Sequence, residues 1–199
     1  MGKNILLKTI AAMCFFVSST ALTKEGFKER RGVFAGAGVT YNFMTARFYR
    51  LYQKIDDTPG VIFETGYRIG APLRIGARLW FSGHTLENPL FSTDKFRFQG
   101  LEVDGRVFLL NRTRLRPYLL LGVSKVTLMT SDDEGFRGFG YSFAAGLEYW
   151  LNRHWTLSSE VDVRYVEYTG IQVGRERRTL GLTNGSMVSL KLLKLTWFY

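Results

Sequence analysis

The sequence lacks long apolar runs and is poor in cysteine and histidine. Beyond residue 21 it has no stretch of about 20 uninterrupted apolar residues, which excludes a membrane-spanning helix in that part of the chain. It contains one cysteine, Cys14, and two histidines, His84 and His154. A disulfide scaffold and a thiolate metal site are therefore excluded. Acidic residues are also few, 17 against 27 basic ones, and the formal net charge is +10.

The first 21 residues predict a secretory signal peptide. Lys3 and Lys8 form a basic start, residues 10–17 are apolar, and small residues lead to Ala21. A buried N-terminal helix is the alternative, but a polar segment follows at once. Cleavage after Ala21 would remove Cys14 and lower the net charge to +8. Export favours anionic lipid headgroups over nucleic acid as the target of this charge. We expect residues 22–32 to be a short periplasmic segment and residues 33–199 to be one β-barrel domain.

The stretch YSFAAGLEYWLNRHWTLSSEVDVRY, residues 141–165, alternates between apolar and polar positions. A period of two indicates strands whose two faces meet different environments. The same pattern predicts eight strands, at residues 33–47, 61–70, 73–82, 96–109, 115–128, 139–151, 155–168 and 186–199. The connections alternate: 48–60, 83–95, 129–138 and 169–185 are long and polar, whereas 71–72, 111–114 and 152–154 are short. This is the loop pattern of an eight-stranded antiparallel up-and-down transmembrane β-barrel, whose short turns are periplasmic.

Aromatic residues indicate that the apolar faces point outward into lipid. They collect near the predicted strand ends, as expected of two interfacial girdles. Near the long loops these are Phe43, Phe81, Phe96, Phe139 and Tyr168; near the short turns and the C-terminus they are Tyr118, Tyr149, Trp155, Trp197 and Tyr199. The interior of an eight-stranded barrel is narrow. The strand positions predicted to point into it include the glycines Gly66, Gly76, Gly122 and Gly146. A secreted soluble barrel that binds a small apolar ligand is the alternative.

Charged residues occupy the face predicted to point inward. They are Glu64, Arg68, Arg74, Arg78, Glu102, Asp104, Arg106, Glu148, Glu160, Asp162 and Arg164. Charges in a narrow, largely dry lumen are tolerated only when they are paired and hydrogen-bonded. We therefore expect a charge network that plugs the barrel. A small diffusion pore with charged walls is the alternative.

Three segments resemble OmpA-like outer-membrane β-barrels, a family of small porin-like proteins. GYSFAAGLEYWL followed by WTLSSEVDVRY resembles the last hairpin before the terminal strand, and RPYLLLG at 116–122 resembles the strand before it. The final Trp197-Phe198-Tyr199 is similar to the aromatic signal read by the barrel assembly machinery. The resemblance implies an eight-stranded barrel in the outer membrane of a Gram-negative envelope. It departs in two places: no peptidoglycan-binding domain follows the last strand, and Leu190-Lys191-Leu192-Leu193-Lys194 breaks the alternation.

No constellation in the sequence predicts chemistry. His154 with Ser158 and Glu160 suggests a lipase-like site, but the three are spread along a strand at the wrong membrane face. Residues 132–134 are three adjacent acids without the spacing of a calcium loop. Gly36 and Gly38 fit a GxG pattern, but no helix follows to bind phosphate. We therefore expect no enzymatic activity, metal or cofactor. A lipid A-modifying enzyme is the alternative.

Arginines in the predicted external loops are candidate contacts for lipopolysaccharide. They are Arg47, Arg50, Arg175, Arg177 and Arg178. Guanidinium groups suit phosphate geometrically, although solvated loop charge explains these residues equally well. The sequence thus predicts a non-enzymatic outer-membrane barrel with an envelope-structural or surface-interaction role through four external loops. Its expected partners are outer-membrane lipid, lipopolysaccharide and the assembly machinery, with no nucleic acid.

Overall fold

The computed structural model describes residues 31–48, 51–54, 57–70, 72–86, 94–110, 113–130, 135–173 and 176–199. At 45–48, 51–54, 86, 94, 130, 171–173 and 176–184 the description covers the backbone alone. The predicted signal peptide, 1–21, and nearly all of segment 22–32 lie outside these residues. Nine β-segments are described: β1 Gly32–Phe48, β2 Leu51–Lys54, β3 Thr58–Arg68, β4 Leu73–Leu86, β5 Asp94–Phe108, β6 Leu115–Thr130, β7 Gly135–Trp150, β8 Trp155–Val173 and β9 Glu176–Phe198.

The segments form one closed antiparallel sheet. Each segment from β3 to β9 pairs with the next, and β9 pairs back with β1. β2 and β3 pair with successive parts of β1, so together they make one interrupted barrel strand. The predicted eight-stranded antiparallel barrel is thus confirmed. The described residues include no helix long and apolar enough to cross a membrane.

Side chains alternate in and out around the closed sheet. On β6, Leu121 is 68% exposed while its neighbour Leu120 is 0% exposed. Large apolar side chains such as Phe63, Val103 and Phe143 stand exposed on the outer face of several strands, whereas arginines and carboxylates point inward. An exposed apolar band around a charged interior is the reverse of a water-soluble barrel. The outer face therefore meets lipid.

The start of the first strand, β1, and the end of the last strand, β9, lie together at the rim that carries the short turns. The backbone N–H of Tyr199 donates to Val33 O at 3.0 Å, which joins the last strand to the first. In the turn at 151–154, Asn152 Oδ1 accepts hydrogen bonds from the backbone N–H groups of His154 at 2.8 Å and Trp155 at 2.9 Å. Side-chain oxygens of Asn stabilise such turns in this way. The short turns, the start of β1 and the end of β9 on one side match the periplasmic rim of such barrels.

The strands at the opposite rim are longer than the sequence predicted. β8 has 19 residues and β9 has 23. About 9–11 residues cross a bilayer. Much of the polar sequence assigned to loops 83–95 and 169–185 therefore belongs to paired β-strands that extend beyond the membrane. Strands with polar side chains on both faces are suited to water. The prediction of long loops there was wrong in extent.

A β-bulge resolves the broken alternation near the end of β9. Val39 pairs with Leu193 and Thr40 with Lys191, so Leu192 has no partner on β1. As a result Leu192 and Leu193 both face outward, and the flanking Lys191 and Lys194 both face inward. An extra residue in one strand produces this change of register.

Three aromatic residues do not lie in the girdles predicted from the sequence. Tyr118 and Tyr168 are buried inside the barrel, and Phe96 packs against the buried cluster that contains Trp80 and Phe98, so this part of the prediction was wrong. Their positions near strand ends suggested a girdle, but their parity along the strand decides the face. Trp155, Trp197 and Tyr199 are exposed on the outer face, as predicted.

Aromatic side chains are in fact numerous inside the barrel, and glycines make room for them. A Cβ added at Gly100 would lie 2.1 Å from Trp80, and one at Gly146 would lie 2.5 Å from the Tyr118 ring. Each glycine thus lets a ring lie against the backbone of the neighbouring strand. The narrow interior therefore accommodates large rings because glycines on neighbouring strands provide the space.

The bulge generates a test in which Ser159 is replaced. The Ser159 hydroxyl donates to the Leu192 carbonyl at 2.8 Å, which satisfies the acceptor that the bulge leaves facing lipid. Ser159→Ala should lower the free energy of unfolding by about 1–3 kcal/mol, because the acceptor then has no partner. Ser159→Thr keeps the hydroxyl and serves as the control. Urea unfolding of the protein folded into vesicles measures both variants, and equal stabilities would contradict this role.

Candidate functional site

The interior of the barrel contains an unusual concentration of charge. Among the described residues, eight cationic and six anionic side chains are buried there. They lie on inward positions of β3 to β9 and occupy the middle and the short-turn end of the barrel. Burying an unpaired charge is very costly, so the arrangement depends on how these groups contact one another.

Arg78 is the centre of the network. Its guanidinium contacts Glu102 and lies 3.0 Å from Asp104 Oδ2 and 2.8 Å from Glu160 Oε1. Asp162 Oδ2 lies 3.7 Å away. The five N–H donors of a guanidinium suit several carboxylates at once. One cation therefore links carboxylates that come from β5 and β8.

A second group of charges surrounds Glu64 on β3. Its Oε2 accepts hydrogen bonds from Arg106 at 2.5 Å and from Lys194 at 2.8 Å. Its Oε1 accepts one from the Thr196 hydroxyl at 2.8 Å. Arg106 Nε also donates to Asp104 Oδ1 at 3.0 Å, which connects this group to Arg78. The carboxylate is thereby fully engaged by groups from β5 and β9.

The β8–β9 side of the network is closed by Lys191 and Arg164. Lys191 Nζ donates to Asp162 Oδ2 at 2.7 Å and also contacts Glu160. Arg164 contacts Glu102 and lies 3.3 Å from Asp162 Oδ2. These contacts span the barrel, since Glu102 comes from β5 and Arg164 from β8. The Tyr118 hydroxyl adds a hydrogen bond to Glu160 Oε2 at 2.7 Å.

An arginine held among aromatic rings fills the short-turn end. Arg74 and Glu148 form a bidentate pair at 2.5 and 2.6 Å. The Arg74 guanidinium lies 4.4 Å from the ring centroids of both Phe108 and Phe198. Phe198 in turn stacks on Trp150, with centroids 4.9 Å apart. Desolvated cation–π contacts of this kind add to the strength of the ion pair.

An apolar layer fills the barrel at the long-loop end. It consists of Met44, Ile62, Trp80, Phe98, Val126, Leu128, Val166, Tyr168 and Met187, all buried. Arg164 lies 4.3 Å from the Trp80 ring and joins this layer to the charges below. The charge network is therefore enclosed by side chains at both ends.

All eleven charged residues predicted to point inward, from Glu64 to Arg164 and including Arg74, face the interior and are buried. Sequence reasoning missed three cations: Arg116, Lys191 and Lys194. Arg116 has the same parity as the inward Tyr118, so strict alternation could have identified it. The two lysines are three residues apart, and only the bulge brings both inside.

The five arginines predicted to contact lipopolysaccharide are described to different extents. Arg50 and Arg175 lie outside the described residues. Arg47, Arg177 and Arg178 are described by their backbone alone, on β1 and β9. The acidic run 132–134 also lies outside the described residues.

The residues considered for lipase-like chemistry are not brought together. His154 is exposed in its turn, with Nδ1 3.0 Å from Phe198 O, whereas Ser158 and Glu160 are buried inside the barrel. A second pair, not predicted from the sequence, is formed by Ser82 and His84, with Ser82 Oγ 2.9 Å from His84 Nε2. His84 Nδ1 lies 3.2 Å from the Thr58 hydroxyl, and both His84 and Ser82 are buried. No group of three or more potential metal ligands occurs in the part of the chain that was described.

Known structures share the fold. Neisserial surface protein A has a TM-score of 0.59 and 12% identity, with 86% of this chain and 100% of that chain covered. OprG of Pseudomonas aeruginosa has a TM-score of 0.52 and 13% identity, covering 87% and 95%. Ail, the attachment invasion locus protein of Yersinia pestis, has a TM-score of 0.53 and 10% identity, covering 86% and 100%. The sequence has no significant match to a curated protein.

The family comparison agrees with the geometry of the barrel. The model of the outer membrane protein beta-barrel domain matches residues 9–187, which is most of the chain. A closed antiparallel sheet with a lipid-facing apolar surface and a charged interior is what such a domain requires. The chain therefore belongs to the outer membrane protein beta-barrel domain family, and it resides in the outer membrane.

Proposed function

We propose that this protein is a closed, non-enzymatic barrel with an envelope-structural or surface-interaction role, exerted through its external loops. The observation that carries the proposal is the filled interior. Paired charges occupy its middle, aromatic rings and the Arg74–Glu148 pair occupy one end, and the apolar layer occupies the other. A barrel of this size is just wide enough to be filled by side chains.

The extended strands at the external rim support a role in surface contact. β8 and β9 continue to Val173 and Glu176, well past the length that crosses a bilayer. Paired ribbons of this kind hold the connecting loops away from the membrane, where contacts with other molecules are made. A rigid, filled barrel below them fixes their position.

The expected partners fit the same proposal. The exposed Trp155 and Trp197 suit the interface with outer-membrane lipid, and the C-terminal aromatic residues suit recognition by the assembly machinery during biogenesis. We propose that Arg47 on β1, Arg177 and Arg178 on β9, and Arg50 and Arg175 nearby in the sequence contact lipopolysaccharide phosphates. We propose no cofactor, no metal and no nucleic acid.

The closed lumen is tested by electrical recording in planar bilayers. The protein should produce no stable, reproducible single-channel steps, because three layers of side chains fill the described part of the lumen. Gel mobility without heating, measured on the same vesicles, must establish that folded barrels were inserted. Reproducible channels from such vesicles would support the diffusion pore instead.

Removing the central cation should destabilise the barrel. Arg78→Ala leaves Glu102, Asp104 and Glu160 close together without their shared partner. Loss of one member of a buried ion network costs about 3–5 kcal/mol. Urea unfolding in vesicles should show this loss.

Arg153→Ala is the control for this variant. Arg153 is exposed in the 151–154 turn, so its replacement removes the same charge from solvent and should change stability little. Equal effects of the two substitutions would mean that the network does not support the fold.

A further inference from the structure

The outer wall of β5, β6 and β7 changes from apolar to cationic toward the external rim. On β6 the outward positions of the nine residues 115–123 are apolar, and the next outward residue is Lys125. On β7 the outward positions of the eleven residues 139–149 are apolar, and the next outward residue toward the external rim is Arg137. On β5 and at Leu109 just after it, the outward positions of the nine residues 101–109 are apolar. The next outward residues toward the external rim are Gln99, Arg97 and Lys95. Three adjacent strands thus carry cations just beyond their apolar spans.

The length of these spans fixes the depth of the cations. A tilted strand of about 9–11 residues crosses the hydrocarbon core. The first outward positions beyond such a span are Gln99, Lys125 and Arg137, and they therefore lie at the level of the lipid headgroups. Arg97 and Lys95 lie two and four residues beyond Gln99, nearer the external rim. The short turns, the start of β1 and the end of β9 mark the periplasmic rim, so these headgroups belong to the outer leaflet.

Strand register brings the cations close together. Lys125 pairs with Phe139, and Arg137 lies two residues nearer the external rim on β7. Lys125 and Arg137 are therefore diagonal neighbours, about 7–8 Å apart. Thr127 pairs with both Arg137 and Gln99, and Arg97 lies two residues beyond Gln99. Side chains of this length can converge on one ligand from all three strands.

The charge at this level is distributed unevenly around the barrel. Among side chains described on the outer wall toward the external rim, every Lys and Arg lies on these three strands. Of the acids there, Asp57 precedes β3, and Glu167 lies on β8 opposite Phe139 of β7. Arg137 Nε is shielded from solvent and makes no hydrogen bond to the described residues. Shielded N–H donors normally have a partner. The patch formed by Lys95, Arg97, Lys125 and Arg137 is therefore suited to an anionic ligand from outside the chain.

We propose that this patch binds the phosphate groups of lipid A in the outer leaflet. Guanidinium groups hydrogen-bond phosphate oxygens in a fork, and an ammonium group adds charge nearby. Directly below the patch, Val123, Phe139 and Tyr141 offer an exposed apolar surface for acyl chains. This combination selects a phosphorylated lipid over a phosphate in solution. The site rests on the lipopolysaccharide contact proposed above, but places it on the barrel wall and is independent of the closed lumen.

The test measures binding of lipid A to the full, folded chain in detergent micelles. The probes are lipid A with its phosphates and the same lipid after enzymatic dephosphorylation. The wall variant is Arg97→Gln, Lys125→Gln and Arg137→Gln together. Each cation near an anionic lipid surface strengthens binding by about fivefold, so this variant should bind phosphorylated lipid A roughly 100-fold more weakly. Binding of the dephosphorylated lipid should be weak for wild type and variant alike.

Two control variants give each outcome a meaning. Arg31→Gln with Arg153→Gln removes exposed charge at the opposite rim and should leave binding unchanged, and unheated gel mobility should show that every variant is folded. The loop variant, Arg175→Gln with Arg177→Gln and Arg178→Gln, removes the other proposed lipopolysaccharide contacts and should weaken lipid A binding less than the wall variant does. If the loop variant loses binding and the wall variant keeps it, the wall site is overturned while the proposed lipopolysaccharide contact stands. If wild type does not distinguish the two lipids, both are overturned.

Discussion

The constraint on which this structure depends is that charges removed from water must find partners. Eight cations and six carboxylates are buried inside the barrel among the described residues. Each carboxylate of the central group is shared by cations from different strands, as Glu102 is by Arg78 and Arg164. These ion pairs tie together strands that are not neighbours in the sheet. The network therefore acts as the core that a soluble protein would build from apolar side chains.

The same constraint explains the rest of the interior. A low dielectric strengthens ion pairs but penalises any charge left alone, so the network benefits from exclusion of water. Phe198 and Trp150 cover it at the periplasmic end, and Trp80 covers it at the external end. Gly100 and Gly146 provide the space for such rings. With the interior devoted to stability, the outer wall and the external loops are the surfaces left for function.

Alternation along the sequence was sufficient to predict the barrel and the inward charges, because one rule governs every regular strand. It failed where the backbone departs from that rule. Lys191 and Lys194 could not both be placed inside without a bulge, and a bulge depends on contacts such as that of Ser159 with Leu192. Tyr168 was misplaced because its distance from the strand end was weighed above its parity. The Ser82–His84 contact depends on side-chain orientation, and the patch around Arg137 depends on register; the alternating pattern specifies neither.

The measurement that tests this account most directly is a double-mutant cycle on Arg74 and Glu148. These residues form a bidentate pair separate from the central network. Unfolding free energies in vesicles would be compared for wild type, Arg74→Met, Glu148→Met and the double variant. If pairing sustains the core, each single variant loses about 3–5 kcal/mol and the double variant loses much less than the sum. Losses that simply add would show that the buried charges do not depend on one another, which would contradict the account.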